Sequence, residues 1–508
     1  MLGRVATPKP REARLATEDQ EIELKFLCEP RDLEALLAAA PAGDTEARAL
    51  RAIYFDTPDG RLRRDHVSLR VRESGGKRVQ TLKRGEGFGR EEYEQKVAGD
   101  ALDLSMPALR KALSAPRRKA LAPAFSVAVD RRQRMVAYGE AMIEIAADLG
   151  VITAGDRRRA ICELELELKA GSPSELFALA RQLARTAPLY LSYEGKAAQG
   201  QMLGDGAELT PRVQPRMRLT AGLSAAAAFQ AIARTTLGLI AANAALVRET
   251  SDEAALHQLR VAVRRLRSAI STCAALVGDG EAPKIREELK WLAGTCGEAR
   301  DLDVFARELA GLKGKAAADA ALIVEAVAKA RAKAYAKAGA ALASGRFREL
   351  VLSAAAWVET GTWLTDPDRK ARRRRDMGAR AFARAALRER WKAWRRLARD
   401  FDGLDAEGRH KLRIKAKNLR YAAEAFSPLF PARAAARMVG RVKRLQDDLG
   451  ALNDAAVAAR LVKTLHLDVA GREAAERLAA RKAQDAETGL KRAAKALARL
   501  SEADRFWR

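Results

Sequence analysis

The sequence predicts an α+β protein of two domains, an antiparallel β-barrel followed by an all-helical domain that contains an internal duplication. Up to about residue 205 the chain alternates polar and apolar residues, as strands do. Beyond about residue 219 it is rich in Ala, Leu and Arg with a helical period, and one basic motif occurs twice, 153 positions apart. The expected domains are 19–205 and 219–508, with a linker over 206–218.

Charged residues alternate with apolar ones in several predicted strands of the first domain. Glu21, Glu23 and Lys25 share one face of a strand whose other face is apolar. For one strand a solvated face is the ordinary explanation, but several strands that carry both acids and bases fit better in a barrel with a polar lumen. The apolar outer faces then need cover, which two amphipathic helices near 31–40 and 174–187 can supply. The other charged strands contain Arg70 and Arg72; Glu92, Glu94 and Lys96; and Glu163, Glu165, Glu167 and Lys169.

The duplicated motif of the second domain places a cationic stripe on each of two helices. A basic stripe on one helix is more often a solvated surface, yet both copies put His or a cation at the same four positions without an acid. Concentrated cations repel one another, so the pattern indicates a bound polyanion, with both helices facing one channel. Within each copy the four residues fall in an arc of roughly 80°: His257, Arg260, Arg264 and Arg267, then His410, Arg413, Lys417 and Arg420.

A second, shorter motif follows each stripe. Arg300 and Asp301 come after the first copy, and Asn453 and Asp454 come after the second at the same offset. The helical pattern breaks near residues 365–368, where we expect the two halves of the duplication to meet.

Composition restricts the partner and the compartment. The 508 residues include 93 Lys and Arg against 66 Asp and Glu, a net charge of +27, which indicates a polyanionic partner. Aromatic residues make up only 5% of the chain, which argues against nucleic acid recognised by base stacking. The four cysteines are scattered without CxxC spacing, so we expect reduced thiols rather than a disulfide or zinc framework. Without an apolar leader or a run of about eighteen apolar residues, we expect a soluble, cytoplasmic protein with no membrane partner.

The charged barrel faces have a chemistry of their own. Clustered carboxylates opposite guanidinium and ammonium groups can hold a polyphosphate with its metal, because hard oxygen ligands suit Mg²⁺ or Mn²⁺ and cations suit phosphate oxygens. Phosphoryl transfer needs mainly positioning and charge neutralisation, which such a lumen provides. A Walker A motif is absent from the sequence, which argues against an ordinary P-loop ATPase.

These residues carry a resemblance to two families. The first domain resembles the CYTH domain, a class of triphosphate tunnel metalloenzymes, and the second resembles the CHAD domain, a helical module associated with polyphosphate. A CYTH domain followed by a CHAD domain is similar to the arrangement of bacterial inorganic triphosphatases. The CYTH-like segments are 21–25, an ExExK motif, with 54–57, 68–72, 80–83 and 163–168. The CHAD-like segments are the two His-centred helices with 300–303 and 449–454.

The resemblance implies metal-dependent hydrolysis of inorganic triphosphate in the barrel and polyphosphate binding by the helices, in the cytoplasm or at polyphosphate granules. It leaves open an adenylate cyclase or thiamine-triphosphatase-like activity, and a polyphosphate-binding protein with an inactive barrel. The implied catalytic residues are Glu21, Glu23 and Lys25. The implied ligands of Mg²⁺ or Mn²⁺ are Glu21, Glu23, Glu163, Glu165 and Glu167. The implied triphosphate-binding residues are Lys25, Arg70, Arg72, Lys83, Arg131 and Lys196. The implied polyphosphate-binding residues are the eight of the two stripes.

Overall fold

The computed structural model describes residues 20–85, 90–207 and 209–508, without the side chains of Gln20, Glu21, Arg90 and residues 451–455 and 483–487. The chain divides into two compact units that adjoin in sequence between residues 208 and 209. The first unit is built on an antiparallel sheet and the second is helical, so the predicted α+β fold class is confirmed.

Strands of the first unit close into a barrel. In the described residues the sheet order is β5-β4-β3-β2-β6-β7-β8-β1, and β5 pairs again with β1 to complete the ring. Each pairing is antiparallel, and the short β9 adds to the far end of β1. The strands are β1 Gln20–Leu27, β2 Thr45–Asp56, β3 Val67–Ser74, β4 Lys77–Arg84, β5 Arg90–Val97, β6 Ala122–Tyr138, β7 Ala141–Ala154, β8 Arg157–Ala170 and β9 Tyr190–Ser192.

Helices cover the apolar outer face of the barrel, as the sequence predicts. One layer consists of α1 (Leu33–Ala39) and α5 (Pro173–Thr186), which pack together, α5 also against β7 and β8. A capping box between Ser172 and Glu175 fixes the start of α5. Apolar residues on the outer side of β3 and β4 pack against the short helices α2 (Arg61–Arg64) and α3 (Pro107–Ala112), the latter followed by α4 (Ala115–Lys119).

One more helix closes an end of the barrel lumen. Leu203 of α6 (Lys196–Asp205) packs into an apolar cluster formed by the inward faces of β2, β6, β7 and β8. Gly200 permits this approach, because a Cβ atom there would lie 2.2 Å from the ring of Phe125. The start of α6 therefore points Lys196 into the remaining space of the lumen.

The second unit contains the helices from α7 onward. They are α7 Ala225–Thr250, α8 Glu253–Thr272, α9 Ala274–Val277, α10 Glu281–Thr295, α11 Gly297–Ala310, α12 Lys315–Ala321, α13 Val324–Ala343, α14 Gly345–Thr360, α15 Arg369–Asp376, α16 Ala379–Ala398, α17 Ala406–Phe426, α18 Ala432–Thr464 and α19 Val469–Ser501. The two stripe motifs lie on α8 and α17, which pack against each other.

The duplicated halves are joined by a reciprocal pair of backbone hydrogen bonds. The N–H of Ala225, the first residue of α7, donates to Met377 O at 2.7 Å, and the N–H of Ala379, the first of α16, donates to Leu223 O at 2.8 Å. Equivalent helix starts thus exchange equivalent bonds, as expected of a pseudo-two-fold relation. The sequence break predicted between the halves falls between α14 and α15, where Asp368 caps α15 through its side chain.

In the described residues one helix, Ala225–Thr250, is long and apolar enough to cross a bilayer. Half of its most apolar stretch is buried in the helical unit. A core helix of a globular domain has the same length and composition, so this helix is weak support for a membrane span.

Candidate active site in the barrel and cationic stripes on the helices

A cavity of about 670 Å³ occupies the barrel lumen. Alternate residues of β1–β8 line it, because successive side chains of a strand point to opposite faces. Glu163 is buried beside it and does not line it, and the side chain of Glu21 lies outside the described residues. The predicted site residues that line the cavity are Glu23, Lys25, Arg70, Arg72, Lys83, Arg131, Glu165, Glu167 and Lys196.

Most of the acids lie on one side of this lumen, and a row of cations lines the other side, where Lys83 pairs with Glu92 of β5 at 3.1 Å. The ring order places β1, β8 and β7 opposite β2, β3 and β4. On the first side, Glu23 of β1 and Glu144 of β7 are both cross-strand neighbours of Glu167 on β8. On the second side, the cavity is lined by Arg48 of β2, Arg70 and Arg72 of β3, and Lys83 of β4.

The deepest acids form one cluster. Asp148, Glu163 and Glu165 have carboxylate oxygens within 4.8 Å of one another, and Asp148 and Glu163 have fully buried side chains. Lys196 Nζ lies 2.8 Å from Asp148, 2.6 Å from Glu163 and 2.7 Å from Glu165. Gln199, one turn along α6, donates to the other oxygen of Glu163 at 2.6 Å. The helix that closes the barrel therefore also neutralises its acids.

Two further cations complete the cluster. Arg131 donates to Asp148 through Nε at 2.7 Å and Nη2 at 2.6 Å, and to Glu165 at 2.6 Å. Lys25 pairs with Glu165 and lies 3.0 Å from Glu23. A buried charge is stable only when an opposite charge lies beside it, and these cations lie beside the carboxylates of the cluster.

The pKa values of the cluster follow from this matching. Burial alone would raise the pKa of Glu165, but Lys196, Lys25 and Arg131 outweigh it and hold that pKa well below its usual range. Burial would likewise lower the pKa of Lys196, yet Glu165, Glu163 and Asp148 raise it well above its usual value. Glu165 and Lys196 are therefore both ionised at neutral pH.

The chemistry of these acids fits a divalent ion. Three carboxylates within 4.8 Å of one another offer the hard oxygen donors that Mg²⁺ and Mn²⁺ prefer. Asp148 was not predicted from the sequence, and neither was Glu144. Ala146 lies between them on the same face of β7, so charged and apolar residues do not alternate regularly there and the sequence gives only a weak signal. Arg48 was missed because it precedes the apolar run of its strand.

The basic side of the lumen has a different character. Arg70 Nη1 lies 3.3 Å from the hydroxyl of Tyr54, whose ring stacks on Phe125 at 4.6 Å. Burial lowers the pKa of Arg72, and the neighbouring Arg70 lowers it further. Glu94 lies 3.7 Å from Arg72, too far for a hydrogen bond. An anion between these guanidinium groups would relieve their repulsion.

The stripe on α8 is half-buried and short of acids. Arg260 Nη1 donates to Ala293 O at 2.7 Å, which fixes its guanidinium against α10. The Nε atoms of Arg260, Arg264 and Arg267 are buried and have no hydrogen-bond partner within the described residues. Burial, followed by the charges of Arg300 and Arg264, lowers the pKa of His257 to about 4. The site therefore favours a neutral histidine until an anion arrives.

The stripe on α17 differs from its counterpart. His410 is exposed, and Arg413 and Lys417 are half-buried. Arg420 donates to Gln446 at 2.8 Å and to Glu424 at 2.7 Å, so this end of the stripe has an acid beside it. Arg265, next to the first stripe, pairs with the same Glu424 at 2.9 Å and links α8 to α17. The shared channel stays a prediction.

The downstream motif of each copy has a different setting. Arg300 on α11 lies 3.2 Å from Glu253 at the start of α8, and Asp301 pairs with Arg460 of α18 at 2.8 Å. The side chains of Asn453 and Asp454 lie outside the described residues. The first motif therefore ties α11 to α8 and to the second half.

Comparisons with known proteins agree with this division. Residues 19–200 match the family model of the CYTH domain, and residues 231–463 match that of the CHAD domain. A protein of Haemophilus influenzae named inorganic triphosphatase is 30% identical over 204 residues, which cover 38% of this chain and 57% of that protein. An uncharacterised protein of Mycobacterium tuberculosis is 24% identical over 328 residues, covering 60% of this chain and 62% of that protein.

The chain thus spans about three fifths of the length of these curated relatives. Among solved structures, the CHAD domain of the plant Ricinus communis is 28% identical with a TM-score of 0.45, covering 58% of this chain and 93% of that one. The two family models together cover most of the chain, in the order of the barrel and the helices. The chain therefore contains a CYTH domain followed by a CHAD domain.

Proposed function

We propose that the barrel hydrolyses the terminal phosphoanhydride of inorganic triphosphate with Mg²⁺ or Mn²⁺, and that the helical domain binds polyphosphate without cleaving it. The observation that carries the first part is the division of the lumen, with a carboxylate cluster on one side and Arg48, Arg70, Arg72 and Lys83 on the other. The relative from Haemophilus influenzae, named inorganic triphosphatase, supports the same activity.

The acidic side would hold the divalent ion through Asp148, Glu163 and Glu165 of the cluster, with Glu23 and Glu167 nearer the open lumen. When bound, such an ion neutralises phosphate charge and lowers the pKa of a water molecule. Glu23, whose side chain is 15% exposed, would accept a proton from the attacking water. Asp148 and Glu163, fully buried, hold their partners in position.

The basic side would hold the phosphates. Arg70, Arg72 and Lys83 line the cavity as neighbours on β3 and β4, and guanidinium groups match the geometry of phosphate oxygens. Lys25 and Lys196, which neutralise carboxylates in the present form, are also in the lumen and supply further positive charge. These cations stabilise the charge that collects on the bridging oxygen as the anhydride breaks.

Polyphosphate is proposed for the stripes because each concentrates cations on one helix, and because the stripe on α8 has little internal neutralisation. Arg260, Arg264 and Arg267 each keep a buried Nε without a partner among the described side chains, a state that costs free energy unless a ligand accepts the hydrogen bond. A chain of phosphates offers an acceptor and a charge at every unit. The second row of cations lies on α17, which packs against α8 in the same domain.

Phosphate release by the full chain tests the proposal. Triphosphate, ATP, thiamine triphosphate and long-chain polyphosphate are supplied at equal phosphate concentration with Mg²⁺, with Mn²⁺ and with a chelator. We expect the highest kcat/KM with triphosphate and none with the chelator. Faster release from ATP or thiamine triphosphate would assign the barrel to one of those activities, and no release from any substrate would leave a binding protein with an inactive barrel.

A further inference from the structure

Strand pairing brings together two cysteines that lie 134 positions apart in the sequence. Leu27 of β1 pairs with Glu163 of β8, so Cys28, one residue beyond β1, comes opposite Cys162. Their Sγ atoms are 3.5 Å apart, and the backbone N–H of Cys28 donates to Cys162 O at 3.3 Å. Both thiols are free, as predicted, and these two cysteines, distant in the sequence, lie side by side in the fold.

The pair is accessible and its geometry is close to that of a disulfide. Cys28 and Cys162 are half-buried at the end of the β1–β8 seam, whereas Cys273 and Cys296 are each only 1% exposed. A disulfide has an S–S distance of about 2.05 Å, so the two sulfurs need to approach by about 1.5 Å. Cys28 lies past the last residue of β1 and before the turn at Pro30–Asp32, outside the regular strand.

We propose that Cys28 and Cys162 form an oxidisable dithiol that closes to a disulfide when the protein meets a peroxide. One thiol attacks a peroxide oxygen, the O–O bond breaks, and a sulfenic acid and one water form. The second thiol then attacks that sulfur and displaces the hydroxyl as a second water. Two thiols and one hydrogen peroxide thus give one disulfide and two waters. The two sulfurs lose two electrons, and the peroxide gains them.

The position of the pair connects it to the lumen. Cys162 precedes Glu163, whose carboxylate holds Lys196 and Gln199 at 2.6 Å each, and Cys28 follows Lys25 by three residues. Drawing the sulfurs together shifts the backbone at that seam, and a misplacement of 1 Å can cost about a hundredfold in rate. We expect the disulfide form to hydrolyse triphosphate about tenfold more slowly, a consequence that rests on the proposed function.

Thiol counting and peptide mapping test the disulfide independently of any activity. The reduced full chain is treated with hydrogen peroxide, quenched and digested without reductant. We expect one linkage, between the peptides that contain Cys28 and Cys162, while Cys273 and Cys296 stay reduced. The matched variants Cys28→Ser and Cys162→Ala should show no internal linkage, with circular dichroism as the check on folding. A wild-type digest without this linkage, or with a bond between two chains instead, overturns the proposal.

Turnover is measured on the same samples. The treated wild type should slow and recover its rate after dithiothreitol, whereas Cys28→Ser should keep its rate throughout. A mapped disulfide with unchanged turnover overturns the connection to the lumen and leaves the modification site standing. If the reduced wild type releases no phosphate, the proposed function fails, and the peptide map still decides the disulfide.

Discussion

The barrel lumen and the stripe on α8 both concentrate cations, but they neutralise them differently. In the lumen, Lys25, Arg131 and Lys196 each contact carboxylates built into the neighbouring strands. On α8, Arg264 and Arg267 keep a buried Nε without a partner in the described part of the domain. A buried charge without a partner costs several kcal/mol, so the enclosed lumen needs its own acids. The half-buried stripe has few acids of its own, so a bound polyanion would supply the missing acceptors.

This difference teaches what each region can bind. The lumen has carboxylates that can be oxygen ligands for a metal, and it also has cations that can bind phosphate. The stripe on α8 offers cations with few acids, which suits a polyanion that arrives with its own counterions. Under the proposed function, the first arrangement does the chemistry and the second holds a polyphosphate chain. The predictions below test that contrast.

Chelation should have the largest effect and should separate the regions completely. We expect EDTA to abolish phosphate release from triphosphate, because the proposed reaction needs a divalent ion to neutralise phosphate charge and to lower the pKa of the attacking water. Polyphosphate binding should survive the same treatment. The two assays use one preparation of the full chain, and addition of excess Mg²⁺ or Mn²⁺ should restore turnover. Persistent turnover in EDTA would contradict the metal assignment.

Glu165→Gln should lower kcat for triphosphate by about a hundredfold to a thousandfold. This carboxylate contacts Lys25, Arg131 and Lys196 at once, and losing several kcal/mol of charge stabilisation has a rate effect of that size. Glu140→Gln, at an exposed position in the β6–β7 turn, is the matched control and should keep full activity. Equal kcat in the two variants would remove Glu165 from the site.

Paired substitutions in the stripes should weaken polyphosphate binding about tenfold or more. Arg260→Ala with Arg264→Ala should also reduce the slope of log K against log salt by roughly 1.4, since each phosphate contact on a single strand contributes about 0.7. Arg395→Ala with Arg396→Ala removes the same charge from the exposed side of α16 and serves as control. Fluorescence anisotropy over a salt series measures both quantities.

The same assay tests the shared channel between α8 and α17. Replacing Arg413 and Lys417 with Ala should weaken binding as strongly as the α8 pair, and the four-residue variant should lose little more than either pair, since residues that serve one ligand are not additive. Losses of free energy that simply add would indicate two separate sites on the domain.

A dependence on pH should be the smallest effect. His257 has a pKa of about 4 because burial and then Arg300 and Arg264 oppose its charge. A polyanion seated among these groups raises that pKa, so binding takes up a proton. Affinity should therefore increase a few-fold as pH falls from 7 toward 5, and His257→Gln should flatten this dependence. An identical pH profile in the variant would show that this histidine does not titrate with binding.

Much of the fold was accessible from local patterns, and the site only in part. The alternation along β8 predicts that Glu163, Glu165 and Glu167 share a face, because a strand has a period of two. It does not show that Glu163 is buried beside Gln199 instead of lining the cavity. Nor does it show that Asp148 of β7 lies next to Glu163 and Glu165. Those facts depend on the register of β7 against β8 and on the packing of α6, which no local period encodes.

Local sequence patterns predict neither the cysteine pair nor the closure of the lumen by α6, and for the same reason. Cys28 and Cys162 lie together only because β1 pairs with β8, and no CxxC motif in the sequence predicts that contact. Gly200 gives no signal in a sequence, although it lets α6 approach Phe125. The duplication, by contrast, could be predicted from the sequence, because its two copies keep a constant separation of 153 positions along the chain.

Triphosphate turnover by two full-chain variants, measured side by side, tests most directly whether the chemistry belongs to the barrel and the binding to the helices. Glu165→Gln alters the carboxylate cluster, and Arg260→Ala with Arg264→Ala alters the stripe on α8. We predict that phosphate release from triphosphate is lost in the first and stays within about twofold of wild type in the second. Loss of turnover in the stripe variant, or full turnover in Glu165→Gln, would contradict the division of labour between the two domains.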